Sequence, residues 1–363
     1  MPEFIPGIEL NRRFYFEAVR PILAKDFPNL THAAATIGPG SEVLGFDTPM
    51  STDHDWGPRV VLFLQEPDLG LAEHIRETMS QDLPYTFYGY SVNFEQHPDE
   101  LHTRVIKPIS EGPIKHRVFI TTVRDFFQQH LAYEIDQPLK AADWLTIPAQ
   151  KLREVTAGAV YYDGSGHLTK LRQRFAYYPQ EVWLYLLAAG WRRIGQEGPL
   201  MSRAGFVGDE IGSAVIGARL VRDIMNLAFL LEKQYAPYPK WFGTAFQQLK
   251  SAAELSPLLR RVQLAPDWQE REAALIPAYE YLARTHNSLG ITKKMPETVS
   301  DFHNRPFKVI QAETFAQAIL AQINDPEVKR IAALPLIGSI DQFSDSTDLR
   351  YSSLSARLKN LYK

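Results

Sequence analysis

Apolar positions along the first 140 residues alternate between two rhythms. Over residues 8–26, Leu10, Phe14, Ala18 and Ile22 recur every fourth position, the spacing of one helical face. Pro21 would kink or end that helix, because it lacks an N–H and its ring crowds the preceding turn. Residues 32–37 form a run of small and β-branched side chains that stops at Gly38-Pro39-Gly40, which predicts a buried strand. Residues 59–64 (RVVLFL) predict a second, stronger one. Pro67-Asp68 then opens a helix through Leu71, Ile75 and Met79. Residues 86–94 and 116–123, rich in aromatic and β-branched residues, predict two more strands, joined by a proline-bearing loop over 96–113. A short helix is expected over 124–131.

From Trp144 onward helical periodicity dominates, over 148–159, 179–197, 208–234, 241–251, 267–286 and 312–323. Residues 158–166 (GAVYYDGSG) read as a turn or small hairpin among them. The change of texture places a boundary at 135–145. It divides the chain into an α/β domain over 1–140, an all-α domain over 141–335 and a polar tail over 336–363 that either wraps or frays.

Charge narrows the functional classes. With 39 Lys+Arg against 42 Asp+Glu the net charge is −3, which argues against a nucleic-acid coat or a polybasic membrane binder but leaves room for a local basic pocket. With no cysteine there are no disulfides, thiol nucleophiles, zinc-thiolate sites or iron–sulfur clusters, and a cytoplasmic setting fits. The first seven residues, MPEFIPG, carry neither the basic nor the apolar region of a signal peptide. No stretch approaches the ~18 apolar residues of a membrane span. Zincin, α/β-hydrolase and P-loop motifs are missing.

The informative segment runs from Gly38-Pro39-Gly40-Ser41 through Asp53-His54-Asp55 to the strand at 59–64. Glycines let a backbone approach an anion closely, and the turn's N–H groups with the Ser41 hydroxyl suit phosphate. If the Asp53–Asp55 stretch is extended, both carboxylates point to one side, ~6.5–7 Å apart, and His54 points away. Two hard oxygen donors so placed suit Mg²⁺ bridged to a triphosphate. A lone Asp-x-Asp is more simply a solvated turn; the glycine turn before it and the strand after it favour a metal site.

Gly40-Ser41, eleven residues, then Asp53-x-Asp55 leading into a strand resembles the signature of the polymerase-beta-type nucleotidyltransferase superfamily. Further blocks are similar to an uncharacterised bacterial family within it: Tyr177-Tyr178-Pro179 with Glu181-Val182, Arg203 before Gly208-Asp209-Glu210, residues 236–243 (APYPKWFG), and Arg305-Pro306-Phe307. The order of a small α/β domain and a helical domain also resembles the aminoglycoside adenylyltransferases. The resemblance implies a nucleotidyltransferase fold, Mg²⁺ held by Asp53 and Asp55, and an NTP, by default ATP, as co-substrate. It implies phosphate contacts from Gly40 and Ser41 and, by order along the chain, from Lys240 in the helical domain, with Arg222 and Lys233 behind it. The reaction implied is transfer of NMP to a hydroxyl. Because the chain lacks net positive charge, the acceptor is expected to be a small molecule or a protein side chain rather than a polynucleotide.

One departure stands out. Most active members of the superfamily carry a third carboxylate on a neighbouring strand, and here the strand at 116–123 offers Phe119 or Ile120 in its place. Glu95, Asp209 or Glu210 would have to act as the base. The alternative is a nucleotide-binding sensor or regulatory protein of the same fold, and a third reading is a structural interaction protein. Plainer roles stand beside these. Lys240 sits in a proline/aromatic corner, Gly208-Asp209-Glu210 suits a helix start, and Arg203 suits a salt bridge to those acids. Tyr161, Tyr162, Tyr177, Tyr178 and Trp183 suit packing more than base stacking. His286 and His303 read as structural.

Overall fold

The structure is a computed structural model that describes residues 3–100, 103–350 and 354–363. The amphipathic N-terminal pattern forms α1 (Gly7–Phe14) and α2 (Arg20–Asp26), joined by a π-helical turn over Tyr15–Val19. That turn absorbs Pro21, whose missing N–H and bulky ring a regular helix could not accommodate.

The sheet has four strands: β1 (His32–Thr36), β2 (Arg59–Leu64), β3 (Arg117–Thr122) and β4 (Ala159–Asp163), in the order β3-β2-β1-β4. β1 runs antiparallel to β2 and β4, while β2 and β3 are parallel, with Arg59 opposite Arg117 and Val61 opposite Phe119. Between them come α3 (Ser41–Leu44) and α4 (Ala72–Asp82), and α5 (Val123–Leu131) follows β3. Val60, Leu62 and Leu64 of β2 and Val118 of β3 join Leu10, Phe14, Val19, Ile75 and Met79 in one core. Each such buried side chain contributes about 1.5–3 kcal/mol. By strand alternation Arg59, Val61 and Phe63 point to the opposite face, where Phe63 meets Phe126 of α5 at 5.3 Å.

The strand expected over 86–94 is instead a two-residue hairpin, Thr86–Phe87 with Tyr90–Ser91, and a separate strand Phe94–Gln96 that pairs with Arg104–Ile106. Tyr88 and Gly89 both have positive φ, as a tight hairpin turn demands, and they break the run. The turn expected over 158–166 is β4. Glycines at both ends disguised it: Gly158 has φ +71 and leaves no room for a side chain, since a Cβ there would lie 2.0 Å from the Thr36 carbonyl oxygen.

The chain therefore does not divide at one cut near 140. One compact unit runs to Pro138 and resumes over Lys151–Ala176; the other holds Leu139–Gln150 and Tyr177–Lys363. Residues 151–176 belong to the first unit because β4 completes its sheet and α6 (His167–Arg174) follows directly. The second unit is built on the long helices α7 (Gln180–Phe206) and α8 (Glu210–Leu231). Then come α9 (Pro239–Phe246), α10 (Ala252–Leu264), α11 (Trp268–Ser288) and α12 (Ala312–Leu320). Trp183 and Trp191 are buried in it, Trp191 stacked on Phe315 at 4.2 Å. Tyr177, Tyr178 and Tyr235 pack together with ring centroids 5.0–5.1 Å apart, the packing role expected of the tyrosine pair. The tail's last described turns wrap onto this unit: Tyr362 is buried and donates to the Gly338 carbonyl at 2.8 Å. Among the described residues no helix is long and apolar enough to cross a membrane.

Candidate functional site

The glycine turn after β1 is fastened to the start of β2 by a buried ion pair. Arg59 Nε donates to Glu42 Oε1 at 2.6 Å and its Nη2 donates to the Pro39 carbonyl at 2.8 Å. The two side chains are only 6% and 2% exposed. Gly40, at φ +145, sits against this pair: a Cβ there would fall 2.6 Å from both Arg59 Nη2 and Glu42 Oε2. Its glycine is required by the ion pair as well as by the backbone. Ser41 begins α3, half-buried.

The two aspartates do not take the extended i, i+2 arrangement. Asp53 ends a 3-10 turn, Pro49–Asp53, and accepts the His54 N–H at 2.9 Å, with His54 Nδ1 also at 2.9 Å. Asp55 has φ +49; its N–H donates to the Arg104 carbonyl at 2.7 Å and its Oδ1 accepts the Arg104 N–H at 3.2 Å. Oδ1 also faces Arg117 Nη1 at 3.4 Å. The physical reason lies between the acids and the strand. Trp56 is buried and donates to Asp47, and a Cβ on Gly57 would lie 2.9 Å from Phe94, so β2 starts at Arg59 rather than at the acids. Both carboxylates stay accessible, 61% for Asp53 and 41% for Asp55.

A cavity of ≈ 650 Å³ runs along the edge strand β3, and every residue lining it belongs to the first unit. Arg59, Arg76, Lys115, His116, Arg117 and His130 supply its polar wall; Ile37, Val61, Phe119 and Phe126 supply much of the apolar one. Arg117 is 12% exposed and lies over the Phe94 and Phe119 rings at 5.4 and 5.5 Å. Burial, with Arg59 nearby, pulls its pKa down to about 10 against the pull of Asp55 and Glu42. Burial likewise lowers the pKa of His116 and His130.

The remaining candidates fare differently. Glu95 is held by Lys107 at 2.6 Å and Lys115 at 3.7 Å. Its hydrogen bond from Lys107 lowers its pKa, which makes it a poorer proton acceptor and counts against its role as base. Position 119, as expected, brings no acid to the sheet, only a half-exposed phenyl ring opposite Val61. In the second unit Asp209 caps α8 by accepting the Gly212 N–H, the plainer of its two expected roles. Glu210 pairs with the buried Arg271 and accepts the Trp268 N–H, and among the described residues no ion pair joins it to Arg203. Arg222 is already engaged by Asp345 at 2.5 Å and by the Asp341 carbonyl at 2.9 Å, which speaks against its serving phosphate. Lys233 lies over Trp183 at 4.1 Å, and Lys240 is exposed at the start of α9, over Trp241 at 5.1 Å. Arg117 went unrecognised in the sequence, although alternation in the strand at 116–123 already set Arg117 and Phe119 on one face.

Residues 144–242 match the family model described as a domain of unknown function, DUF4037. No curated protein matches the chain. Among solved structures, a nucleotidyltransferase-like protein from Exiguobacterium sibiricum 255-15 is similar at 12% identity, over 76% of each chain, with a TM-score of 0.33.

Proposed function

We propose that the first unit binds a nucleoside triphosphate, by default ATP, and with Mg²⁺ transfers its nucleotidyl group to a hydroxyl of a small molecule or protein. The observation that carries this reading is one sheet end where Pro39 of the glycine turn, Arg59 and Arg117 line a cavity of ≈ 650 Å³, a volume suited to a nucleotide, with Asp55 paired to Arg117. The spacing from Gly40-Ser41 to Asp53 and Asp55 supports it.

Asp53 and Asp55 are the residues that would hold Mg²⁺. Their oxygens suit a hard cation, and Mg²⁺ commonly takes one or two carboxylates with the rest of its shell from phosphate and water. That is the arrangement required here, since among the described residues no cluster of three or more His, Asp or Glu is set to hold a metal. When bound, the ion neutralises phosphate charge. The chain's own part is to position the phosphates beside the Gly40 turn and Arg117. The acceptor oxygen then bonds to the α-phosphorus as the bond to pyrophosphate breaks. The hydroxyl proton leaves to a general base.

A second reading, nucleotide binding without transfer, is favoured by one observation: Phe119 stands opposite Val61 where an acid would face the acceptor. Pyrophosphate release separates the two. Incubation with Mg²⁺, NTPs and cell metabolites should release pyrophosphate, and Asp53→Asn with Asp55→Asn should abolish the release while leaving the fold intact. Tight NTP binding without release selects the second reading, and no NTP binding at all defeats both.

A further inference from the structure

The cations around the cavity differ in how completely they are matched. Arg59 has Glu42 and Arg76 has Glu73, while Lys115, 3.7 Å from Glu95, is exposed to water. Arg117 has Asp55 at 3.4 Å, and among the described residues its Nε and Nη1 make no hydrogen bond although both are closed off from solvent. A buried guanidinium with five donors in a planar fork is costly to leave in this condition, and a carboxylate or phosphate relieves it best. Beside it, Phe119 is 45% exposed, a large aromatic surface with room in front of it. Asp55, the present partner, also spends Oδ1 on the Arg104 N–H and keeps much of its surface in water.

We propose that Arg117 is an anion receptor. The cavity takes a small phosphorylated molecule without any metal; its phosphate displaces Asp55 from Arg117 and its apolar body lies on Phe119. The inference rests on the reading of this sheet end as the phosphate site, and it adds a metal-independent binding step. The phosphate belongs either to the nucleotide or to the acceptor.

Asp55→Asn tests the exchange cleanly. Asparagine tolerates the left-handed backbone at this position and keeps an oxygen for the Arg104 N–H. It removes the charge that competes for Arg117, and with it a carboxylate proposed to hold Mg²⁺, which EDTA takes out of the comparison. Calorimetric titration in EDTA with phenyl phosphate should show saturable binding to the wild type. In Asp55→Asn that affinity should rise by about 3- to 10-fold, and in Arg117→Gln it should fall by about 10-fold or more, the range for gaining or losing a charge-assisted contact. Thermal melts establish that Arg117→Gln is folded. Mutual exclusion of phenyl phosphate and Mg·ATP assigns the phosphate to the nucleotide; simultaneous binding assigns it to the acceptor. Absence of saturable binding, an unchanged affinity in Arg117→Gln, or weaker binding in Asp55→Asn overturns the proposal. Because Asp55→Asn should lose pyrophosphate release and yet gain anion affinity, the receptor and the transferase reading fail independently.

Discussion

Arg59 and Arg117 stand opposite each other on neighbouring parallel strands and line one cavity, yet their surroundings differ. Around Arg59, Glu42 accepts from Nε and the Pro39 carbonyl from Nη2, and the Gly40 turn closes over the pair. Around Arg117 two aromatic rings supply the contact, and the nearest carboxylate sits off at 3.4 Å, half in water. The first arginine holds the turn to the sheet. The second is a charge left for something else to neutralise. Residue type and strand position are shared, so the difference lies in the partner: Glu42 comes from a helix packed beneath the turn, Asp55 from a loop at the rim.

The largest expected effect is on the structural side. Arg59→Met leaves Glu42 buried without a partner and should cost about 3–5 kcal/mol in urea unfolding; a loss under ~1 kcal/mol would erase the contrast between the two arginines. Next is Gly40→Ala, which combines a disfavoured backbone with a Cβ in contact with both ends of the ion pair. About 1–3 kcal/mol of stability should go with it. If its stability is unchanged while nucleotide binding is lost, the glycine serves the ligand alone. A pH effect follows from the cavity wall. Burial keeps His116 and His130 neutral below the ordinary histidine pKa of 6.5. In that range the unfolded chain binds more protons than the folded one, so stability should fall as pH drops below about 6.5 and return as it rises. Denaturation midpoints between pH 7 and 5 report it, and a flat profile would mean that these rings are not shielded. Smallest is Arg117→Met: removing an ill-matched charge and leaving Asp55 exposed should change stability by less than about 1 kcal/mol. A loss as large as that of Arg59→Met would make Arg117 a structural residue too.

Much of this architecture was readable in the chain. The runs at 32–37, 59–64 and 116–123 became β1, β2 and β3, and the helical texture after Trp144 became the second unit's bundle. β4 was hidden because its five residues lie between glycines whose freedom serves tertiary contact rather than a turn. The π-helical turn before Pro21 has no signature in periodicity. At the site, the glycine turn and its position after β1 were legible, but the aspartate geometry was not. That geometry depends on Trp56 and Gly57 being buried against residues 47 and 94, pairings that spacing alone does not encode. The cationic wall escaped notice for the same reason: Arg59, Arg76 and Arg117 are distant in sequence and meet only when α4 and the strands assemble.

Whether this sheet end holds a nucleotide is the decisive question. Calorimetric titration of the full chain with ATP, in EDTA and then in Mg²⁺, addresses that question directly. Saturable binding in EDTA that Arg117 sustains, tightened when Mg²⁺ joins through Asp53 and Asp55, is the expected result. No saturable heat in either buffer would contradict it.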